Sequence, residues 1–471
     1  MNWNSLLSEE RFVEPSTEVC ISHRNDYDTI ICSTLFRRLQ DKAQVFPLDD
    51  DDYVRTRLTH SLEVSAIGKK LAEAAFAKAK EAKLDPWFEE HLAKEFSDIL
   101  LCAGLIHDIG NPPFGHFGEY AIREWFQNHL GELALGGRDL TEILSDWQFQ
   151  DLYNFEGNAQ SIRLLSKTPY LGTMDGFNLS YPVLGAIMKY PISSEQLTKA
   201  KAANEPLLYK KIGYNYSERE LFDQLNAKTG MNGRRHPLSF FLEAADDIAY
   251  RTSDVEDSIV KKVTGIFQMF DCLDQYLDSM DSEPEDMRLQ VEFCIQKLRD
   301  IYQNEIEKKT RKPELAAVQR WNQYLQEIMI RDASDSFVRN YQPIMEGCFH
   351  GDLFKETCSG HIINAIAVLS EKWIYTSSLK IKTELYGRRV IDSLLTQFMP
   401  AAIKFDTNEN MTFIECRIID TVSDFYKSMY RTESEGKSEA DKLYLRILMI
   451  TDFISGMTDN YAKRLYQELF A

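Results

Sequence analysis

The chain has 471 residues, of which 44% are hydrophobic and 27% charged, and its formal net charge is −19. That length supports one large or two ordinary domains around a substantial core, and that charge disfavours a protein that coats nucleic acid. There is no transmembrane-length apolar run, the acidic first residues lack the apolar core of a secretory leader, and the eight scattered cysteines form no Cys-x-x-Cys pair, a pattern that suits reduced thiols in the cytoplasm.

In chain order, apolar residues recur at helical spacing. Residues 60–80 set Leu62, Ile67, Leu71, Ala74 and Ala75 at such intervals. Residues 92–108, 118–130, 157–167 and 238–260 read the same way, as do 287–308, 314–331, 360–378, 388–400, 411–431 and 440–469. Strand signals are few and short, at most one hairpin, so the expected class is all-α. Three polar stretches punctuate the helices: the acidic Asp278 to Asp286, the basic turn Lys308 to Pro313, and Thr432 to Asp441. There is no internal repeat, and the sharp motifs all lie between residues 24 and 254.

Those motifs suggest a metal site. His60 sits in Arg55-Thr-Arg-Leu-Thr-His-Ser-Leu-Glu, His107 and Asp108 are adjacent, and Asp246 and Asp247 follow in Glu243-Ala-Ala-Asp-Asp-Ile-Ala-Tyr. A mixed imidazole and carboxylate set suits one divalent ion, Mn, Mg, Fe, Co, Ni or Zn. A lone His is more often a satisfied structural imidazole, and so is an isolated His-Asp dipeptide. Here the pair ends an apolar helix and runs into Gly-Asn-Pro-Pro-Phe-Gly, and charges at the end of a buried stripe need a partner. The residues alone leave Asp246 and Asp247 as alternative fourth ligands; helical spacing puts Asp246, Tyr250 and Asp254 on one face. His116 and Glu119, three residues apart beyond Pro112-Pro113, share a face if 117–130 is helical. A carboxylate bonded to one ring nitrogen fixes the tautomer and raises basicity, which suits general acid–base work; the plainer role for His116 is to cap a loop. Arg57, three residues before His60, is the best placed cation for an anionic substrate. Arg37, Arg38, Lys42, Arg55 and Lys189 are further candidates, each more often a surface salt bridge. No Walker A pattern is present.

Longer stretches carry a resemblance. They are Phe36-Arg-Arg-Leu-Gln-Asp-Lys-Ala-Gln-Val-Phe-Pro, Val54-Arg-Thr-Arg-Leu-Thr-His-Ser-Leu-Glu-Val, Gly104-Leu-Ile-His-Asp-Ile-Gly-Asn-Pro-Pro-Phe-Gly-His-Phe-Gly-Glu, Asn154-Phe-Glu-Gly-Asn-Ala-Gln, Arg235-His-Pro-Leu, Glu243 to Tyr250, and Asp452-Phe-Ile-Ser-Gly-Met-Thr-Asp-Asn-Tyr-Ala. Together they resemble the bacterial deoxyguanosine triphosphate triphosphohydrolase family, a branch of the HD superfamily, over nearly the whole chain; residues 262–335 match least.

The resemblance implies an HD-type helical core in residues 1–260, a helical insertion in 261–335, and a C-terminal helical region, 336–471, with oligomer contacts and a candidate effector site. It implies metal ligands His60, His107, Asp108 and Asp246, with catalytic His116 and Glu119. Gln44, Arg57, Lys189, Tyr190, Tyr250 and Asp254 would bind substrate, Gln44 at the sugar 3′-hydroxyl and Tyr250 beneath the deoxyribose. The expected reaction is metal-dependent hydrolysis of a deoxynucleoside triphosphate, dGTP favoured, to deoxynucleoside and intact triphosphate. The alternative is an HD phosphatase or phosphodiesterase acting on other nucleotides. A non-catalytic nucleotide sensor would lack a ligand or His116, and neither is missing. Relatives are commonly tetramers or hexamers, and some respond to a dNTP or to single-stranded DNA. The basic turn Lys308, Lys309, Arg311 and Lys312 is one place where such an effector could meet local positive charge.

Overall fold

The computed structural model describes residues 1–13, 23–48, 51–169, 176–203 and 209–470, with the backbone alone at 23–25. Cys20 lies outside them. The fold is all-α, as expected. Among the described residues the one sheet is a hairpin of two-residue strands, Ala134–Leu135 against Arg138–Asp139. No helix among them is long and apolar enough to cross a membrane.

The centre is a group of packed helices. Arg57–Glu81 starts at Thr56, whose side chain accepts from the Thr59 amide while the Thr59 side chain accepts from the Thr56 amide, a reciprocal cap that satisfies two orphan donors. Its buried stripe is His60, Val64, Ile67, Leu71 and Ala75. Leu62, grouped with that stripe by spacing, faces outward and is exposed. Ala93–Ile106 packs along this helix, as do Pro237–Val260 and Pro313–Arg339. Each buried Leu, Ile or Phe side chain contributes about 1.5–3 kcal/mol. Pro237–Val260 begins with His236 as cap: its side chain accepts from the Leu238 amide, and Pro237 occupies the first turn. The other ring nitrogen of His236 donates to the Leu6 carbonyl at 3.0 Å.

Apolar side chains gather in two main clusters. The larger draws on residues 3–109 and 162–374. The second joins residues 114–155 to 390–465, because Gly115–His129 packs on Ser378–Lys404, which packs in turn on Glu439–Ser455. The candidate site sits where the clusters meet.

Several helices differ from the periodic reading. The 411–431 segment divides into Phe413–Thr421 and Asp424–Ser434, with Ser423 capping the second. The 440–469 segment divides at Gly456 into Glu439–Ser455 and Asp459–Phe470. The 360–378 segment ends as Cys358–Leu369 and continues through a π-helical turn, Ser370–Ile374. Ile266–Asp278 is a helix that the periodic reading did not include.

Candidate active site

Elements from both clusters meet around a cavity of about 300 Å³. His60 lies in the first turn of Arg57–Glu81, His107 caps the end of Ala93–Ile106 with Asp108 next to it, and Asp246 lies midway along Pro237–Val260. One donor atom each from His60, His107 and Asp108 fall within 4.8 Å of one another. Asp246 Oδ1 lies 3.0 Å from His60 Nε2 and 3.6 Å from His107 Nε2. Of the two adjacent aspartates, Asp246 is the one set against both imidazoles; burial, then the Asp246 and Glu243 charges, push the Asp247 carboxyl up to about 7.

This donor set fits a divalent ion. His107 Nδ1 donates to the Gly104 carbonyl at 2.8 Å, which leaves the ring lone pair on Nε2, a buried atom with no hydrogen-bond partner. The local field also favours positive charge: although burial opposes it, Asp108 and Asp246 raise the pKa of His107 to about 9. Asp108 is held by Arg57 Nη1 at 2.7 Å and Asn111 Nδ2 at 2.5 Å. Burial raises its pKa, but Arg57 first and then the two histidines outweigh it and hold the carboxyl at about 2.

Beyond Pro112-Pro113 the chain turns through two left-handed residues, Phe114 and Gly115, with φ of 64° and 63°. A Cβ on Gly115 would lie 2.8 Å from the Arg57 guanidinium, so glycine there leaves room for Arg57 against Asp108. The turn launches Gly115–His129, which presents His116 and Glu119. His116 is 76% exposed at the cavity mouth, while Glu119 is 2% exposed, 3.3 Å from His116 Nδ1. Glu119 Oε1 also accepts from the Gly157 amide at 3.0 Å. Burial raises the Glu119 pKa, but the His116 hydrogen bond, then its charge and those of Lys211 and Arg123, hold it below the usual value. A Cβ on Gly157 would sit 2.5 Å from both Glu119 Oε1 and Asn111 Oδ1, so the glycine of Asn154-Phe-Glu-Gly-Asn-Ala-Gln is a close-approach residue.

Cations line another wall. Lys189 Nζ lies 2.7 Å from Glu243 Oε1, and Arg235 holds the other Glu243 oxygen at 2.7 Å. Lys211 pairs with Glu156 at 3.0 Å, and Lys380 donates to the Val45 carbonyl at 3.2 Å. Gln44 lines the same cavity, and its Oε1 is buried without a partner. Tyr250 and Tyr375 share a hydrogen bond, and Tyr375 donates to Asp254 at 2.8 Å. Asp254 itself is buried behind Tyr375 and does not line the cavity.

The HD domain family matches residues 57–157, the stretch that supplies His60, His107, Asp108, His116 and Glu119. A deoxyguanosinetriphosphate triphosphohydrolase-like protein of Listeria innocua is 39% identical over 100% of this chain and 99% of its own length. A protein of the same description from Pseudomonas aeruginosa is 33% identical over 100% and 98%. The deoxyguanosinetriphosphate triphosphohydrolase of Klebsiella pneumoniae is 31% identical, again over 100% and 98%. This chain belongs to the deoxyguanosinetriphosphate triphosphohydrolase family.

It is therefore an HD-type hydrolase, and the family motifs divide into those that line the cavity and those that support it. Gln44, Arg57, His107, Asp108, His116, Lys189, Tyr190, Asp246 and Tyr250 all line it, with His60 and Glu119 behind. Four cations considered from sequence do not, the exposed Arg37 among them. Lys42 is buried between the Asn111 and Ser455 carbonyls, Arg38 donates to Tyr426 and Gly456, and Arg55 is spent on Glu63, Glu256 and Asp257. In the C-terminal family motif, Asp459 accepts from the amides of Ala43 and Phe114 at 3.0 and 2.9 Å, so it ties the Gln44 segment to the His116 turn. Tyr375, Lys380, Glu384 and Lys211 are cavity residues the sequence did not single out. The first three come from the motif-poor half, and only their spatial position marks them.

Proposed function

We propose that this enzyme hydrolyses deoxynucleoside triphosphates, dGTP by preference, to deoxynucleoside and inorganic triphosphate, with one divalent metal ion held by His60, His107, Asp108 and Asp246. The observation that carries this reading is the presence of that donor set, the His116–Glu119 pair and the lysines 189, 211 and 380 around one cavity. A divalent ion there would polarise the α-phosphate and offset its charge.

The remaining chemistry falls to the side chains. Water adds at the α-phosphorus, the bond from phosphorus to the 5′ oxygen breaks, and triphosphate departs whole. Glu119 engages His116 Nδ1, so Nε2 is free to pass a proton to the 5′ oxygen. Arg57, Lys189, Lys211 and Lys380 balance the phosphate charge, and Tyr190 lies beside Lys189. Their present carboxylate partners, Asp108, Glu243 and Glu156, keep these cations in place before substrate arrives. Gln44 Oε1, an acceptor without a donor, receives the 3′-hydroxyl; a buried polar contact of this kind discriminates strongly. Tyr250 lies under the sugar, with Tyr375 and Asp254 fixing its hydroxyl, and leaves no room for a 2′-hydroxyl.

The catalytic core in this proposal is residues 1–260 completed by Tyr375 and Lys380. The chain acts in the cytoplasm as a homo-oligomer, a tetramer or hexamer, and the turn Lys308, Lys309, Arg311 and Lys312 receives an effector dNTP or single DNA strand. Light scattering that finds a monomer, with rates unmoved by single-stranded DNA, removes that last part. The main test incubates the enzyme with each dNTP and with GTP in Mn²⁺ or Mg²⁺ and separates the products. Nucleoside and triphosphate from dGTP, with GTP a poor substrate, support the reading. Orthophosphate, or equal rates on GTP, favours a general HD phosphatase.

A further inference from the structure

A second cavity, remote from the metal donors, contains two thiols. It is an open cleft of about 610 Å³ between the helices Glu285–Glu307 and Pro313–Arg339 and the start of Cys358–Leu369. Leu289, Phe293, Tyr324 and Arg331 line it together with Cys294 and Cys358. The two cysteines come from different helices that pack on each other, are 3% and 5% exposed, face one cleft, and lie close enough for each to shift the other's ionisation. Tyr324 lines the same cleft beside them. Nothing in the proposed chemistry uses this group.

The arrangement is asymmetric. Interaction with the Cys358 thiol, although burial opposes it, lowers the Cys294 pKa, while interaction with Cys294 and burial raise that of Cys358. The thiolate is the nucleophile in oxidation, and a protonated neighbour can resolve it. Cys358 is also held in place: Ser359 donates its amide and hydroxyl to Asp332 at 3.2 and 2.7 Å.

We propose that Cys294 and Cys358 are a peroxide-sensitive pair that closes to a reversible disulfide. The Cys294 thiolate attacks hydrogen peroxide, forming sulfenic acid and releasing hydroxide. The Cys358 thiol then attacks that sulfur, the sulfur–oxygen bond breaks, and water leaves as the disulfide forms; a dithiol restores both thiols. The link would tie Glu285–Glu307 to the helix that runs through Ser370–Ile374 to Tyr375, the cavity residue bonded to Tyr250 and Asp254. Oxidation is therefore expected to slow turnover; this consequence rests on the proposed site, whereas the disulfide does not.

The test treats the intact enzyme with hydrogen peroxide, blocks free thiols after unfolding, and maps peptides by mass spectrometry without reduction. A Cys294–Cys358 linked peptide that dithiothreitol removes is expected. Cys358→Ser should instead leave a sulfenic acid on Cys294 that dimedone traps. Turnover of dGTP should fall at least twofold in the oxidised wild type and recover with dithiothreitol, with Cys294→Ser unaffected by peroxide. Oxidation confined to the exposed Cys32, Cys348 and Cys416, with Cys294 and Cys358 still free, overturns the proposal. A linked peptide with unchanged turnover overturns the connection to Tyr375.

Discussion

The cavity and the buried network around Arg163 are both rich in charge, yet they are built on opposite rules. Arg163, 1% exposed, donates to both oxygens of Asp452 and also reaches Glu218 and Glu433. Asp452 further accepts from Gln160 at 2.8 Å. At the cavity, by contrast, His107 Nε2, Gln44 Oε1 and Arg57 Nε are buried with no partner. Each such atom costs about 1–3 kcal/mol when unpaired, and at the cavity three of them belong to residues of its lining. The Arg163 network is closed on itself, whereas at the cavity a ligand would complete the unpartnered atoms of the lining residues.

The largest expected effect breaks the unsatisfied side. His107→Ala and Asp108→Ala should lose bound metal and bring turnover to background, beyond the roughly 10–100-fold lost when only an outer partner of a ligand is removed. Circular dichroism should stay near native, and elemental analysis showing full metal occupancy in both variants would reject the ligand assignment. The saturated side should respond in the opposite way. Arg163→Met strands Asp452, Glu218 and Glu433, and breaking such a pair costs about 3–5 kcal/mol. Denaturant unfolding should show that loss, while the folded fraction keeps its kcat; a kcat that collapses with stability intact would move Arg163 into the chemistry.

A third prediction concerns pH. His236 is fully buried, and burial, against the Leu6 hydrogen bond, lowers its pKa from 6.5 to about 4. The folded state thus prefers the neutral ring, so its contribution is complete above pH 6.5 and is lost as pH falls through 4, up to roughly 3 kcal/mol. Unfolding midpoints measured between pH 7 and 4 should fall more steeply in the wild type than in His236→Gln; parallel curves would remove His236 from the acid limb. His116→Ala sharpens the cavity itself. It should lower kcat by about 10²-fold or more, as expected for lost proton transfer, with metal content and KM little changed. A risen KM with kcat intact would make His116 a binding residue.

Much of this division was legible in the sequence, and the reasons differ by residue. His60, His107 and Asp108 stand in short local strings whose helix ends aim them at one point. Asp246 needed helical spacing to separate it from Asp247. Arg235-His-Pro-Leu and Asp452 to Ala462 were recognisable as strings, but their work is structural: His236 caps a helix, and Asp459 ties two site segments by accepting from backbone amides. Nothing in a linear pattern separates such supports from ligands. Tyr375 and Lys380 were not legible, because they reach the cavity only through a helix that packs from more than 250 positions away from His107. Asp254 lay on the expected helix face, yet Tyr375 stands between it and the cavity.

The central claim is that the cavity directs water to the α-phosphorus. Hydrolysis of dGTP in oxygen-18 water, with the products separated and weighed by mass spectrometry, tests it directly. The proposed chemistry predicts one heavy oxygen in the triphosphate and none in deoxyguanosine. Label in the 5′-hydroxyl of the nucleoside, or release of labelled orthophosphate, would contradict it.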